Sequence, residues 1–246
     1  MLFRSGRLCA GPSPESCGFC LPLQDSSDFL LRDGLMRALQ RSVDVFVAPS
    51  QFLADWFRSW AGEGVDVAVI PNCPPPLIAI EQGGVDLPEE MLPCRFGFFG
   101  NPSAFSKGLD LVLEAFLVLV TTRLEAQLLI AGHLLKPDAA RSHLEYQHLI
   151  RMQELLEKLG PAVQLLGGYQ QRDVVRLMTS VHWVVMGSRW FENAPVVIEE
   201  AKHCRRPLLV PGHGGMEELV LHGRDGWHFR AGDSADLADQ IGRAHV

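Results

Sequence analysis

The chain has 246 residues, enough for one large domain or two small ones. Apolar residues make up 47% of it, an ordinary globular share, and the formal charge of −7 argues against a nucleic-acid binder, which would carry a basic face. No apolar run reaches the ~18 residues of a bilayer-spanning helix, and the polar, Gly- and Pro-containing start does not read as a secretory leader.

Residues 1–27 show no apolar periodicity. Cys9 is followed by the knuckle Cys17-Gly18-Phe19-Cys20, which leaves open plain structural thiols or part of a zinc site lacking a fourth ligand. The remaining cysteines, Cys73, Cys94 and Cys204, are scattered, which fits a reducing cytoplasm better than a disulfide scaffold. Asp28 to Ser42 reads as an amphipathic helix interrupted by Gly34. Val43 to Ala48 reads as a strand ended by Pro49, and Ser50 caps a helix through about Trp60, closed by Ala61-Gly62. Val65 to Ile70 is a further strand. Residues 73–93 carry three consecutive prolines and a Gly-Gly pair and read as a linker.

Arg95 to Phe99 is predicted as a strand leading into the loop Gly100-Asn101-Pro102-Ser103, and Lys107-Gly108 opens a helix. A lysine at a helix start is mildly disfavoured by the helix dipole, which makes an anionic partner for Lys107 more sensible. Ala126 to Ala131 and Val163 to Leu166 are strands, with helices over Asp138 to about Leu159 and Asp173 to Met178.

The stretch 182–201 organises the chain. An apolar run of strand length ends at Gly187-Ser188, and Trp190-Phe191 lead into Glu192. Asn193 is a candidate cap, Pro195 fits the first turn of a helix, and Glu200 falls one to two turns inside it. In an open α/β sheet the loop at a strand's C-terminal end lies in the ligand crevice, and a helix start offers unpaired N–H groups to an anion. Spacing alone carries little: Glu81 and Glu89 have the same separation in a stretch without helical pattern. Leu208 to Val210 is a strand, followed by His213-Gly214-Gly215-Met216-Glu217, Asp225-Gly226 and Gly232-Asp233. The paired glycines allow a close backbone approach to a ligand. His203 and His213 flank this region and more often fill surface or core roles than ligand roles.

Strand, Gly-Ser turn, Trp-Phe-Glu, Pro three residues on and Glu-Ala in an apolar helix together resemble the E-x7-E signature of retaining GT-B glycosyltransferases, in particular glycosyltransferase family 4. The K-G pair after a glycine loop, the G-G-x-x-E helix start and the two later turns match the same pattern in order. Residues 43–72 resemble the last α/β unit of that family's N-terminal domain, and Cys9 to Cys20 a cysteine-containing loop in some members. Alternating strands and helices with loops at strand ends give an α/β class. The resemblance implies a Rossmann-like doubly wound parallel sheet, the GT-B C-terminal domain, with a partial N-terminal α/β domain. Residues 1–72 are then a remnant of the acceptor-side domain, 73–93 the interdomain linker and 94–240 the nucleotide-sugar-binding domain. Residues 241–246 resemble one frame of a sequencing adapter and are set aside from the fold. A complete family member is considerably longer, so we expect a fragment, with little activity by itself.

The resemblance implies transfer of a sugar from a nucleotide-diphosphate sugar to an acceptor with retention of configuration. Glu192 would lie near the donor sugar as the catalytic carboxylate, and Glu200 would accept hydrogen bonds from the ribose hydroxyls. Lys107 and the backbone around Asn193, Ala194 and Pro195 would hold the diphosphate, with Gly100, Gly214 and Gly215 at the ligand. Gly168 and Tyr169 would lie beside the base. A fixed ammonium suits a departing diphosphate because negative charge grows there in the transition state. Many relatives place an arginine after the loop glycine, where this chain has Asn101. The family uses no catalytic metal or separate cofactor, and its acceptors are sugars or lipid-linked precursors. That implies a cytoplasmic setting, with peripheral association at the inner membrane face through the N-terminal side, and no nucleic-acid partner. The alternatives are a non-catalytic nucleotide-binding module of the same fold and a nucleotide-sugar 2-epimerase.

Overall fold

The structure, a computed structural model, describes residues 13, 15, 17–18, 25–62, 64–73, 93–122, 125–140 and 142–244. Cys9 and Cys20, nearly all of the linker at 73–93, and the Glu81/Glu89 pair lie outside the described residues. The Asp25 carboxylate accepts the Ser27 N–H and starts helix α1 (Ser26–Leu39), which tightens into a 3₁₀ turn over Gln40–Ser42. The expected helix forms, but its apolar residues are not covered: Leu30, Leu35, Met36 and Leu39 are all at least half exposed. Polar contacts at its edge hold α1 instead. The Trp60 indole donates to Asp33 at 2.8 Å, Arg37 to the Trp60 carbonyl at 2.6 Å, and Gln40 to the Ala61 carbonyl at 2.9 Å.

Strand β1 (Phe46–Ala48) is shorter than the apolar run from Val43, whose Val43 and Val45 remain exposed. Ser50 Oγ accepts the Leu53 N–H and caps helix α2 (Gln51–Ala61), as expected, and Gly62 ends it at φ +91°. Strand β2 (Val67–Val69) pairs parallel with β1, giving a separate two-stranded sheet.

The main sheet follows from period-two alternation along buried strands. In β3 (Cys94–Phe99), Phe96 and Phe98 join one core cluster while Phe99 joins the other; in β4 (Ala126–Ala131), Leu128 and Ile130 divide from Leu129 and Ala131 in the same way. Two hydrophobic faces demand two helix layers. Helices α3 (Leu109–Thr121) and α4 (His143–Leu159) cover the first face. Beyond β5 (Val163–Gly167), helix α5 (Val174–Thr179) begins the second layer. β6 (Trp183–Val185) and helix α6 (Val196–His203) follow, then β7 (Leu208–Pro211) and helix α7 (Gly214–Leu219). β8 (Gly226–Phe229) and helix α8 (Ser234–Ala244) complete the chain, α8 returning to the first layer. Burying one fully enclosed side chain such as Phe96 or Phe116 contributes about 1.5–3 kcal/mol.

All pairings in this sheet are parallel, in the order β5-β4-β3-β6-β7-β8. The chain therefore builds outward from β3 on one side, then returns to build outward on the other. The reversal opens a crevice between the C-terminal ends of β3 and β6. This is the doubly wound parallel class expected from the sequence.

Several boundaries differ. The long helix expected from Asp138 is a 3₁₀ turn over Pro137–Ala139 followed by α4, which the Ser142 hydroxyl caps by accepting the Glu145 N–H. Ala140 stays extended at ψ 137° between them, so the two cannot fuse. Residues 241–244, set aside on sequence grounds, form the last turn of α8, and Ile241 is fully buried in the core.

Candidate functional site

The crevice at the reversal is walled by Phe98–Gly100 at the end of β3, Val185, Met186 and Ser188 from β6 and its following loop, and Pro195–Val197 at the start of α6, around a space of about 140 Å³. Lys107 and Glu192 stand in it. Lys107 ends a 3₁₀ turn over Phe105–Lys107, and Gly108 then takes a left-handed conformation (φ +64°) before α3 begins at Leu109. The lysine thus lies just ahead of the helix rather than within it, a displacement that Gly108 causes. Gly108 also lies against Gly187: a Cβ on the first would stand 2.0 Å from the carbonyl oxygen of the second. Only two glycines let these loops touch.

Lys107 Nζ donates to Glu192 Oε1 at 2.6 Å, and the Ser188 hydroxyl donates to the same oxygen at 2.9 Å. The Glu192 carboxylate is 12% exposed and the Lys107 side chain 37%, so the pair sits at the lip of the crevice rather than deep in the core. His213 packs behind it, its Nε2 3.1 Å from the Ser188 carbonyl and its ring 5.1 Å from that of Phe191. A carbonyl oxygen only accepts, so Nε2 carries the hydrogen in this contact, and burial lowers the His213 pKa.

Pro195 is not in the first turn of α6. With φ −69° and ψ 126° it is the N-cap, and no side chain caps the helix, so Asn193 does not serve as the cap. The reason is local: the residue before a proline is driven to extended backbone, and Pro195 stays extended itself, which moves the helix start to Val196. The first N–H groups of α6 have no partner within the helix and stand at the crevice wall.

Glu200 lies one turn into α6 as expected, 5% exposed, with Gln171 Nε2 donating to its Oε1 at 3.1 Å. Burial raises the Glu200 pKa and the Gln171 hydrogen bond offsets this in part. Next to it the Tyr169 phenol is pushed up to about 12, first by burial and then by the Glu200 charge. Tyr169 and Gly168 line a second hollow of about 470 Å³ at the ends of β3, β4 and β5, together with Gly100, Asn101, Gly132 and His133. Gly100 borders both spaces. Its φ of +129° turns the chain there, and its carbonyl oxygen would stand 2.1 Å from a Cβ on Gly132.

Gly214 and Gly215 approach protein backbone closely. Gly215 N–H donates to the Glu192 carbonyl at 2.7 Å, and a Cβ there would stand 1.7 Å from the Asn193 oxygen. The glycine pair therefore seats the Glu192 loop. The amino-terminal elements reach the same loop. Phe191 lies 5.5 Å from Phe52 and 5.4 Å from Trp56, and Asn72 Nδ2 donates to the Ala194 carbonyl at 3.2 Å. The Glu218 carboxylate on α7 accepts the Gln51 and Phe52 N–H groups, each at 2.8 Å, at the start of α2.

The structure brings Lys107, Glu192, Pro195 and Gly100 into one crevice, while Glu200 lines neither space and is buried one turn into α6, its charge acting on Tyr169 at the second hollow. Sequence reasoning missed Ser188 as a partner of Glu192, Gln171 as a partner of Glu200, and the Arg189–Asp110 ion pair beside the crevice. Ser188 was visible in the Gly-Ser turn four residues before Glu192, but the other two carried no signal of their own. Among the described residues, no group of three or more His, Cys, Asp or Glu side chains could hold a metal ion, and no helix is long and apolar enough to cross a membrane.

A six-stranded parallel sheet with its crevice at the strand-order reversal is a Rossmann-like doubly wound domain, and its structural neighbours are GT-B glycosyltransferases. The fold is similar to Anabaena HepE, solved with UDP and glucose (TM-score 0.67, 20% identity, covering 88% of this chain and 56% of that one). It is also similar to sucrose-phosphate synthase from Thermosynechococcus elongatus (TM-score 0.66, 18% identity, 87% and 52%). Residues 93–245 match the family described as Glycosyl transferases group 1, and the chain belongs to that family. It is 27% identical over 139 residues to the lipopolysaccharide 1,2-N-acetylglucosaminetransferase of Salmonella typhimurium, covering 56% of this chain and 36% of that protein. The chain spans about a third of the length of that relative and about half of each solved structure.

Proposed function

We propose that this chain carries the donor half of a retaining glycosyltransferase of family 4, moving a sugar from a nucleotide-diphosphate sugar to a polysaccharide or glycolipid precursor. The observation that carries the reading is the placement of Lys107, Glu192 and the α6 start in one crevice, with the buried Glu200 carboxylate one turn into the same helix, held by Gln171. A nucleoside diphosphate has complementary parts. Its phosphates suit an ammonium and the unpaired N–H groups of Asn193, Ala194 and the first turn of α6; its ribose hydroxyls suit a carboxylate. Gly100 leaves backbone close to the phosphates, Gly214 and Gly215 act at the ligand by seating the Glu192 loop, and Gly168 and Tyr169 border the base.

In this reading, Lys107 and the helix start oppose the charge that grows on the departing diphosphate, with no metal assigned a role. Glu192, at the sugar end, faces the reacting carbon. Acceptor groups come from the amino-terminal side, in the region of residues 1–72, with residues 73–93 as the connection. A lipopolysaccharide N-acetylglucosaminetransferase among the relatives supports a cell-envelope acceptor, and we place the enzyme in the cytoplasm at the membrane face as part of this proposal.

The test is a thermal-shift titration of the chain with UDP, GDP and ADP, beside Glu200→Ala. UDP is the first choice because HepE is solved with it. A ligand at about 100 times its Kd raises stability by about 2.7 kcal/mol. Stabilisation by one nucleotide, lost in the variant, supports the reading; a folded chain indifferent to all three removes it.

A further inference from the structure

Arg189 stands three residues before Glu192, yet its side chain is committed elsewhere. Its guanidinium forms a bidentate pair with Asp110, NH1 to Oδ1 at 2.6 Å and NH2 to Oδ2 at 2.9 Å. NH1 also reaches the Phe105 carbonyl at 3.3 Å, the guanidinium carbon lies 4.6 Å from the Phe105 ring centre, and the Arg189 backbone N–H donates to the Ser106 carbonyl at 2.9 Å. His148 closes the cluster from α4: its ring meets Phe105 edge-on at 5.2 Å, and its Nδ1 is 3.8 Å from Asp110 Oδ2. Asp110 is 9% exposed at its side chain and Arg189 20%.

Asp110 neutralises the Arg189 charge, and three of the five guanidinium N–H donors go to protein acceptors. Arg189 is therefore not arranged to meet a phosphate itself. What it joins are two segments: Phe105–Lys107, which ends in the crevice ammonium, and Ser188–Glu192, which ends in the crevice carboxylate. A bidentate arginine–carboxylate pair fixes orientation as well as distance, and a lysine cannot reproduce it.

We infer that Arg189 is a positioning residue: through Asp110 and the Phe105–Ser106 backbone it sets where the Lys107 ammonium stands, and so sets affinity for the donor diphosphate. The inference rests on the donor-site reading above.

The test is calorimetric titration of the whole chain with UDP in a double-mutant cycle: wild type, Arg189→Lys, Lys107→Ala and the double variant, with melting curves to verify folding. Arg189→Lys keeps the charge and should weaken UDP binding about tenfold, but less than about twofold when Lys107 is already alanine. A structural loss unrelated to Lys107 would weaken both backgrounds equally and would overturn the inference. So would an Arg189→Lys affinity within twofold of wild type, or a Lys107→Ala change without effect; the donor reading survives the first of these. If the wild type binds none of UDP, GDP and ADP, the donor reading fails and takes this inference with it. Should Arg189→Lys not fold, Arg189→Gln with Asp110→Asn exchanges the ion pair for neutral amides and carries the same cycle, with the same outcomes.

Discussion

Glu192 and Lys107, 85 residues apart in sequence, share one proton-donating contact of 2.6 Å, with Ser188 on the same carboxylate oxygen. A diphosphate that takes the ammonium must compete with this carboxylate, which also repels it. The two residues should therefore have opposite effects on nucleotide binding. Lys107→Ala should weaken UDP affinity by about tenfold or more, the loss expected for a charged hydrogen bond. Glu192→Gln should leave it unchanged or tighten it. Calorimetric titration measures both, and a loss of affinity in Glu192→Gln would show that the carboxylate supports the nucleotide rather than competing with it.

Glycines divide by what surrounds them. At Gly215 a Cβ would meet the Asn193 oxygen at 1.7 Å, so Gly215→Ala must push α7 away from the Glu192 loop, at a cost of about 1–3 kcal/mol. At Gly223 nothing lies within 4 Å and only the φ of +78° resists a side chain, for about 1–2 kcal/mol. Both should lower stability in urea melts, but only Gly215→Ala should also abolish the nucleotide-induced shift.

Glu200 should impose a pH dependence on binding. Burial raises its pKa, so the folded chain holds this proton more tightly than the unfolded chain does. Folding stability from this group is present below the ordinary carboxylate value and falls as the pH rises through the raised one. Binding has the opposite sign, because ribose hydroxyls need the ionised carboxylate as acceptor. UDP affinity should therefore fall as the pH is lowered through the raised Glu200 value. The UDP phosphate titrates too, so the comparison is with Glu200→Gln, whose affinity should be weaker and lack this contribution.

The contact between the amino-terminal helix α2 and the Glu192 loop should be measurable as stability. Phe191→Ala removes ring contacts with Phe52 and Trp56, worth about 0.5–1.5 kcal/mol each. Glu218→Ala removes the acceptor of two N–H groups at the start of α2, about 1 kcal/mol by analogy with capping side chains. Denaturant unfolding of the two variants tests this, and unchanged midpoints would mean that the amino-terminal elements do not brace the loop.

The sheet and its helices were readable because their signals are local. Alternating apolar residues in 94–99 and 126–131, and the Ser50 cap of α2, each act within a few residues of chain. The helix expected over residues 28–42 forms, but its apolar residues stay largely exposed, because periodicity reports which residues share a face, not whether anything covers that face. Pro195 was misplaced by one position because its φ suits a helix start while its ψ of 126° depends on the loop before it.

By itself the sequence determined the α/β class, the glycine turns at strand ends and the approximate places of Lys107, Glu192 and Glu200, since each follows from propensity, spacing and the chemistry of neighbouring residues. Only the tertiary structure decided the strand order, with β6 beside β3, and hence the crevice between them. It also paired Lys107 with Glu192 and Arg189 with Asp110 across 85 and 79 residues. Such pairings depend on which loops the packed sheet brings together, and no local signal in the chain encodes that.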